Sequence, residues 1–137
     1  MLIRLEHLGI AVKDLQKSNA LFQLLLGAAP YKTEEVASER VRTSFFKAGE
    51  AKVELLEPTA SDSVIAKYIE KRGEGIHHVA FEVEDIHLAM AQMREAGIRV
   101  LNEQPKAGAD NKLICFLHPK DTNGVLVELC QERKRVD

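Results

Sequence analysis

Four residues in this 137-residue chain could together do metal chemistry: His7, Glu54, His78 and Glu128. Two neutral imidazoles and two carboxylates balance a divalent cation and offer borderline-to-hard donors, a set that suits Co, Mn, Ni, Zn or Fe. Four protein ligands in an octahedral sphere leave two positions for water or substrate, as a catalytic site needs. Repetition ties the four together. His7-Leu-Gly-Ile-Ala-Val12-Lys-Asp14 is matched 71 residues later by His78-Val-Ala-Phe-Glu-Val83-Glu-Asp85. Glu54 in Lys52-Val-Glu-Leu-Leu56 and Glu128 in Gly124-Val-Leu-Val-Glu-Leu129 are equivalent, 74 apart. A lone strand histidine is more often a hydrogen-bonded core residue, and a lone strand glutamate is usually solvated. Two of each, at matching positions of a duplicated unit, are poorly explained in that way.

Strand alternation says where these side chains must point. Leu8, Ile10 and Val12 share one face of the first strand, and His7, Gly9 and Ala11 the other. Val79, Phe81 and Val83 oppose His78, Ala80 and Glu82 in the second copy. By the same count Val53 and Leu55 oppose Glu54, and Val125, Val127 and Leu129 oppose Glu128. Each carboxylate therefore stands among apolar neighbours in a core-like strand, where an uncompensated charge is costly. Pairing the two copies about a metal removes all four costs at once.

The elements that position them also repeat. A helical run follows each histidine strand: Leu15, Ser18, Phe22 and Leu25 up to Gly27, then Ile86, Ala89, Met93 and Ala96 up to Gly97. Asp14 and Asp85 are placed as N-caps and the glycines as C-caps. Strands are expected at Arg42 to Ala48 and Lys52 to Leu56, and again at Lys112 to His118 and Gly124 to Leu129. Gly, Pro, Asn and Asp fill the turns between them. Each copy thus reads β-α-β-β-β. The expected architecture is one α+β domain over residues 1–137, with two paired βαβββ modules forming a curved mixed sheet around a metal site. The modules run from about 3 to 58 and 75 to 131, with a linking helix at about 62–73 capped by Asp62 or Ser63.

Composition narrows the function classes. With 45% apolar and 29% charged residues, the chain reads as soluble and globular. A net charge of -2 carries no footprint for nucleic acid or an anionic membrane. No apolar run approaches the roughly 20 residues a membrane span needs, and the start, MLIRLEHLGIAV, does not read as a signal peptide. Cys115 and Cys130 form no framework, so a reducing, cytoplasmic location fits. A homodimer is expected because sheet edges need covering. His77 has the opposite parity to His78 and reads as a non-ligand, His87 as a surface helix residue, and His118 as a turn residue before Pro119.

At these positions the chain resembles the vicinal-oxygen-chelate (glyoxalase/bleomycin resistance/dioxygenase) superfamily, from His7 to Gln131. Within it, four stretches are similar to methylmalonyl-CoA epimerases: Val53-Glu-Leu-Leu-Glu-Pro58, Ile65-Ala-Lys-Tyr-Ile69, Gly73-Glu-Gly-Ile-His-His-Val-Ala80, and Phe116-Leu-His-Pro-Lys-Asp121 with Gly124-Val-Leu-Val-Glu-Leu129. The resemblance implies His7, Glu54, His78 and Glu128 as metal ligands; the Glu54 position is glutamine in some epimerases. It implies a small-molecule acyl-CoA substrate and interconversion of (R)- and (S)-methylmalonyl-CoA by proton abstraction through a metal-stabilised enolate. Glu128 is then one acid/base group, and a hydroxide on the metal, Glu54 or Glu82 the other. Where some epimerases carry a further glutamate this chain has Thr43. Lys120 and Lys112, in or near loops, are candidates for CoA phosphates and His118 for a substrate contact. The rival readings are a glyoxalase I-like lactoylglutathione lyase, which uses the same ligand types, and a non-catalytic binding protein of the same fold. An extradiol dioxygenase needs only two histidines and one glutamate, and Glu54 as a fourth ligand argues against it.

Overall fold

Alternation begins at the second residue. In a computed structural model, which describes residues 2–133, Leu2–Ala11 forms β1, and each later element follows the repeat. The first copy continues with α1 (Leu15–Leu26), β2 (Lys32–Val36), β3 (Val41–Ala48) and β4 (Ala51–Pro58). After α2 (Val64–Arg72) the second copy runs β5 (Gly75–Val83), α3 (Ile86–Glu95), β6 (Lys106–Gly108), β7 (Lys112–Leu117) and β8 (Val127–Glu132). Both copies have the β-α-β-β-β order.

The N-caps are those the sequence requires, and Gly27 caps the end of α1, but the C-cap of α3 is Ala96 rather than the expected Gly97. Asp14 Oδ1 accepts from the Lys17 N–H and Asp85 Oδ1 from the Leu88 N–H, each at 3.1 Å. Ser63, rather than Asp62, caps α2: its Oγ accepts from the Ala66 N–H at 3.0 Å. Each cap satisfies one of the N–H groups that a helix start leaves without an intrahelical partner. Gly27 closes α1 with φ 78°, a left-handed conformation that a Cβ would strain.

The chain divides into two compact units: residues 7–77, and residues 78–133 together with residues 2–6. In the first unit the strand order is β2-β3-β4-β1. β1 runs parallel to β4, while β2–β3 and β3–β4 are antiparallel. α1 packs on one face through Leu15 and the half-buried Phe22 and Leu26, against Val12, Phe46, Val53 and Leu55. α2 packs through Ile65 and the half-buried Tyr68 and Ile69 on the other, against Ala11, Val41 and Leu56. In the second unit the order is β5-β8-β7-β6, with β5–β8 parallel and the other pairs antiparallel. α3 buries Ile86, Ala89 and Met90 against Val83, Cys115, Leu117 and Leu129. Burying each large apolar side chain stabilises by roughly 1.5–3 kcal/mol, which sets the strand faces firmly.

Two local expectations are corrected. The inward stripe of α1 ends in Leu26, not Leu25: Leu25 is 69% exposed, while Phe22 and Leu26 pack on the core. β8 starts at Val127 rather than Gly124. The preceding segment is a turn in which the Gly124 N–H donates to Pro119 O at 2.7 Å and the Val125 N–H to Thr122 O at 3.1 Å, so Val125 lies outside the ladder and is exposed.

Candidate metal and acid–base site

In the first unit His7 and Glu54 come together across the parallel β1–β4 ladder. Gly9 is the register partner of Glu54, two residues beyond His7 on the same face. Having no side chain, it lets the imidazole reach the carboxylate. His7 Nε2 lies 3.3 Å from Glu54 Oε1, and both side chains are 6% exposed. The second unit repeats this. Ala80 is the register partner of Glu128, two residues beyond His78, and His78 Nε2 lies 3.6 Å from Glu128 Oε1. The same pair of atoms is used in each copy.

These separations exceed the 2.7–3.2 Å of a good N–H···O hydrogen bond. They suit two donors on one cation. With bonds of about 2.1 Å, neighbouring ligands at 90–110° are about 3.0–3.4 Å apart. Both His–Glu pairs fit a divalent metal in donor type; the 3.3 Å pair also falls within this spacing, and the 3.6 Å pair lies just beyond it.

On its other side each glutamate faces a phenylalanine. Phe45 is the register partner of Glu54 on β3, and Phe116 that of Glu128 on β7. The Phe116 ring meets His78 edge-on, centroids 5.9 Å apart at 87°. These two aromatic walls were missed by the sequence reading, although they too stand 71 apart. Their signal was available once strand register had been counted from the glutamates.

Thr43 is fully buried on the face of Glu54, and its Oγ1 donates to Glu34 O at 3.4 Å. Glu82 is buried on the face of His78 and accepts from Arg4 Nε at 2.9 Å. It stands four residues beyond His78, about 13 Å along an extended strand. His77 turns away and packs edge-on to Tyr68 at 4.9 Å. His87 is exposed on α3.

His118 leads a 3-10 turn, Pro119–Asp121; its Nδ1 accepts from the Lys120 N–H at 3.1 Å. Arg99 fastens this turn: its N, Nε and Nη2 donate to the Asp121 carboxylate at 2.9, 2.9 and 3.0 Å. The Arg99 hydrogen bonds hold the Asp121 carboxyl well below the usual range. Lys120 is exposed on the turn so fixed. Lys112 starts a strand, as expected, but is buried rather than open to a ligand phosphate. It opens β7 with its side chain only 4% exposed, and its Nζ lies 3.8 Å from Glu132 Oε1. Burial pushes the Cys115 thiol up to about 11. Burial, and then the Glu128 and Glu6 carboxylates, raise Cys130 further. Both are free protonated thiols and take no part in the site.

Over residues 6–116 the sequence matches the glyoxalase/bleomycin resistance protein/dioxygenase superfamily. The mitochondrial methylmalonyl-CoA epimerase of Bos taurus is 43% identical over 93% of this chain and 74% of its own. The ethylmalonyl-CoA/methylmalonyl-CoA epimerase of Cereibacter sphaeroides is 44% identical over 96% of this chain and 99% of its own. The chain belongs to this superfamily, in its methylmalonyl-CoA epimerase family. Among solved members, a variant of Streptomyces coelicolor methylmalonyl-CoA epimerase in complex with 2-nitronate-propionyl-CoA matches with a TM-score of 0.93. It is 37% identical, over 98% of this chain and 100% of that one. The mixed strand pairing and the three helices are those of the glyoxalase-like fold of that superfamily.

Proposed function

We propose that this member of the epimerase family interconverts (R)- and (S)-methylmalonyl-CoA, with His7, Glu54, His78 and Glu128 as the ligands of one divalent metal. The observation that carries the reading is the duplicated buried His–Glu pair, at 3.3 Å and 3.6 Å in the two copies. Two such pairs supply the four ligands, and their charges balance a divalent cation. Co, Mn, Ni, Zn and Fe all suit these donors.

The proton removed lies between a thioester carbonyl and a carboxylate. The metal, when bound, supplies Lewis-acid stabilisation for the negative charge that develops on the carbonyl oxygens. The protein must supply proton carriers on opposite faces of the planar enolate. Glu128 is the base on one face. Glu54 is the carrier on the other, since the Glu82 carboxylate is held by Arg4 and Thr43 offers only a hydroxyl. Phe45 and Phe116 flank these carboxylates and keep water from them. Lys120 and His118, on the turn fastened by Asp121, are the proposed contacts for the CoA portion, while the buried Lys112 faces Glu132 instead.

No helix among the described residues is long and apolar enough to cross a membrane. The two buried free thiols support a cytoplasmic location. The exposed Leu21, Leu24 and Leu25 of α1 support a homodimer, which light scattering tests. The deciding experiment for function is solvent deuterium incorporation at the α-carbon of methylmalonyl-CoA, with the methylglyoxal–glutathione hemithioacetal as parallel substrate. Exchange into the former alone supports the epimerase. Turnover of the latter alone supports a lactoylglutathione lyase, and neither, with no metal retained, a binding protein.

A further inference from the structure

The first unit has a second cluster on the face that carries His7 and Glu54. Lys52 is the register partner of His7 on β4, and Lys47 is directly opposite Lys52 on β3. Both ammonium groups approach the Tyr31 ring, at 5.7 Å for Lys47 and 5.9 Å for Lys52. Like charges facing each other across an antiparallel pair destabilise a sheet. A ring between them offsets part of that cost by cation–π attraction. An anion bound there would offset more. The position is also open: Lys47 is exposed and Tyr31 is 40% exposed. At the opposite end of the same face, α2 closes over Ala11, Val41 and Leu56. A ligand that approaches the His7–Glu54 pair from the end of this face not covered by α2 meets the two lysines. In the repeat, Lys47 corresponds to His118, 71 residues on, beside the proposed Lys120 contact.

We infer that Lys47 and Lys52, steadied by Tyr31, form an anion subsite that binds the phosphate groups of the acyl-CoA. The inference rests on the acyl-CoA reading above and specifies how the nucleotide end is held. The lysines act as point charges, so binding is sensitive to ionic strength.

The test compares the double variant Lys47→Ala/Lys52→Ala with wild type on methylmalonyl-CoA and on methylmalonyl-pantetheine, which has the same reacting group but no phosphate. The expected result is a rise in KM of about tenfold for the CoA thioester, with no such rise for the pantetheine thioester. The salt dependence of KM should flatten in the variant. A control, Lys17→Ala/Lys67→Ala, removes the same charge from exposed positions on α1 and α2 and should leave KM unchanged. An unchanged KM for the CoA thioester in the lysine double variant overturns the inference. An equal rise on both substrates also overturns it, because the lysines would then hold the substrate carboxylate. Calorimetric binding of adenosine 3′,5′-bisphosphate separates this inference from the reaction itself. If wild type binds that probe and the variant does not, the subsite stands even where no epimerisation is seen. If wild type epimerises but both proteins bind the probe equally, the subsite falls and the reaction stands. Circular dichroism and thermal melting of the variant, read beside the kinetics, check that it folds.

Discussion

Replacing Glu128 by glutamine tests the assignment of proton carriers most directly. The side chain is isosteric, 5% of the residue is exposed, and its oxygen lies 3.6 Å from His78 Nε2. An amide oxygen can still coordinate, so metal content should stay near one per chain. The folded apo protein should be no less stable, since a buried carboxylate costs desolvation and an amide much less. What is lost is proton acceptance. Removal of a positioned general base typically costs about 10²–10⁴-fold, equivalent to about 2.7–5.4 kcal/mol of barrier. That loss should appear as slow deuterium exchange from one epimer only, followed by NMR in D₂O with each epimer supplied separately. Glu54→Gln should give the mirror image, retaining exchange of the epimer that Glu128 serves and losing that of the other. Net epimerisation should fall in both. If Glu128→Gln exchanges both epimers within about tenfold of wild type while holding its metal, Glu128 is not the base. If Glu54→Gln retains both exchange and epimerisation, Glu54 is a ligand only.

Further outcomes follow from the same geometry. His78→Ala should lose metal, measured by elemental analysis, while its far-ultraviolet circular dichroism stays native; His77→Ala, whose ring packs on Tyr68 and which has the opposite strand parity to His78, should keep its metal. Asp121→Asn should free the turn carrying Lys120 and raise KM for the CoA thioester more than it lowers kcat. Because hydrogen bonds from Arg99 depress the Asp121 carboxyl, its stabilising contribution is present above the carboxyl's unfolded pKa and is lost as pH falls through the depressed value. Wild type should therefore lose more stability than Asp121→Asn on acidification, read from urea midpoints at successive pH values. Cys115 should resist alkylation at pH 8 in the native state and react on unfolding. With its pKa raised from 9.0 to about 11, the stability it contributes is full below pH 9 and lost as pH rises towards 11.

The repeat, the strand faces and the N-caps were legible in the sequence because each is a local consequence of residue type. Alternation put His7 and His78 on the face opposite the core side chains; Asp14 and Asp85 announced two helix starts, and the third was narrowed to Asp62 or Ser63. Leu25 was misplaced because an apolar run of Leu24, Leu25 and Leu26 satisfies helical spacing in more than one way. Only packing against the buried cluster of Val12, Leu15, Phe46, Val53 and Leu55 selects Leu26. Gly124 and Val125 look like strand residues, yet hydrogen bonds back to Pro119 and Thr122 hold them in a turn.

The sequence by itself determined the residue types that could hold a metal, their duplication and the face each occupies, since period and parity are properties of the backbone. Tertiary structure alone decided which atoms meet. Register sets Gly9 beside Glu54 and Ala80 beside Glu128, and so brings each Nε2 to its own Oε1. It also decided that Lys112 is buried against Glu132 while Lys47 and Lys52 converge on Tyr31. A lysine has the same local signature in either place. Whether it is solvated, paired inside or poised for an anion depends on neighbours brought in from distant strands, through long-range strand pairing that no local pattern encodes.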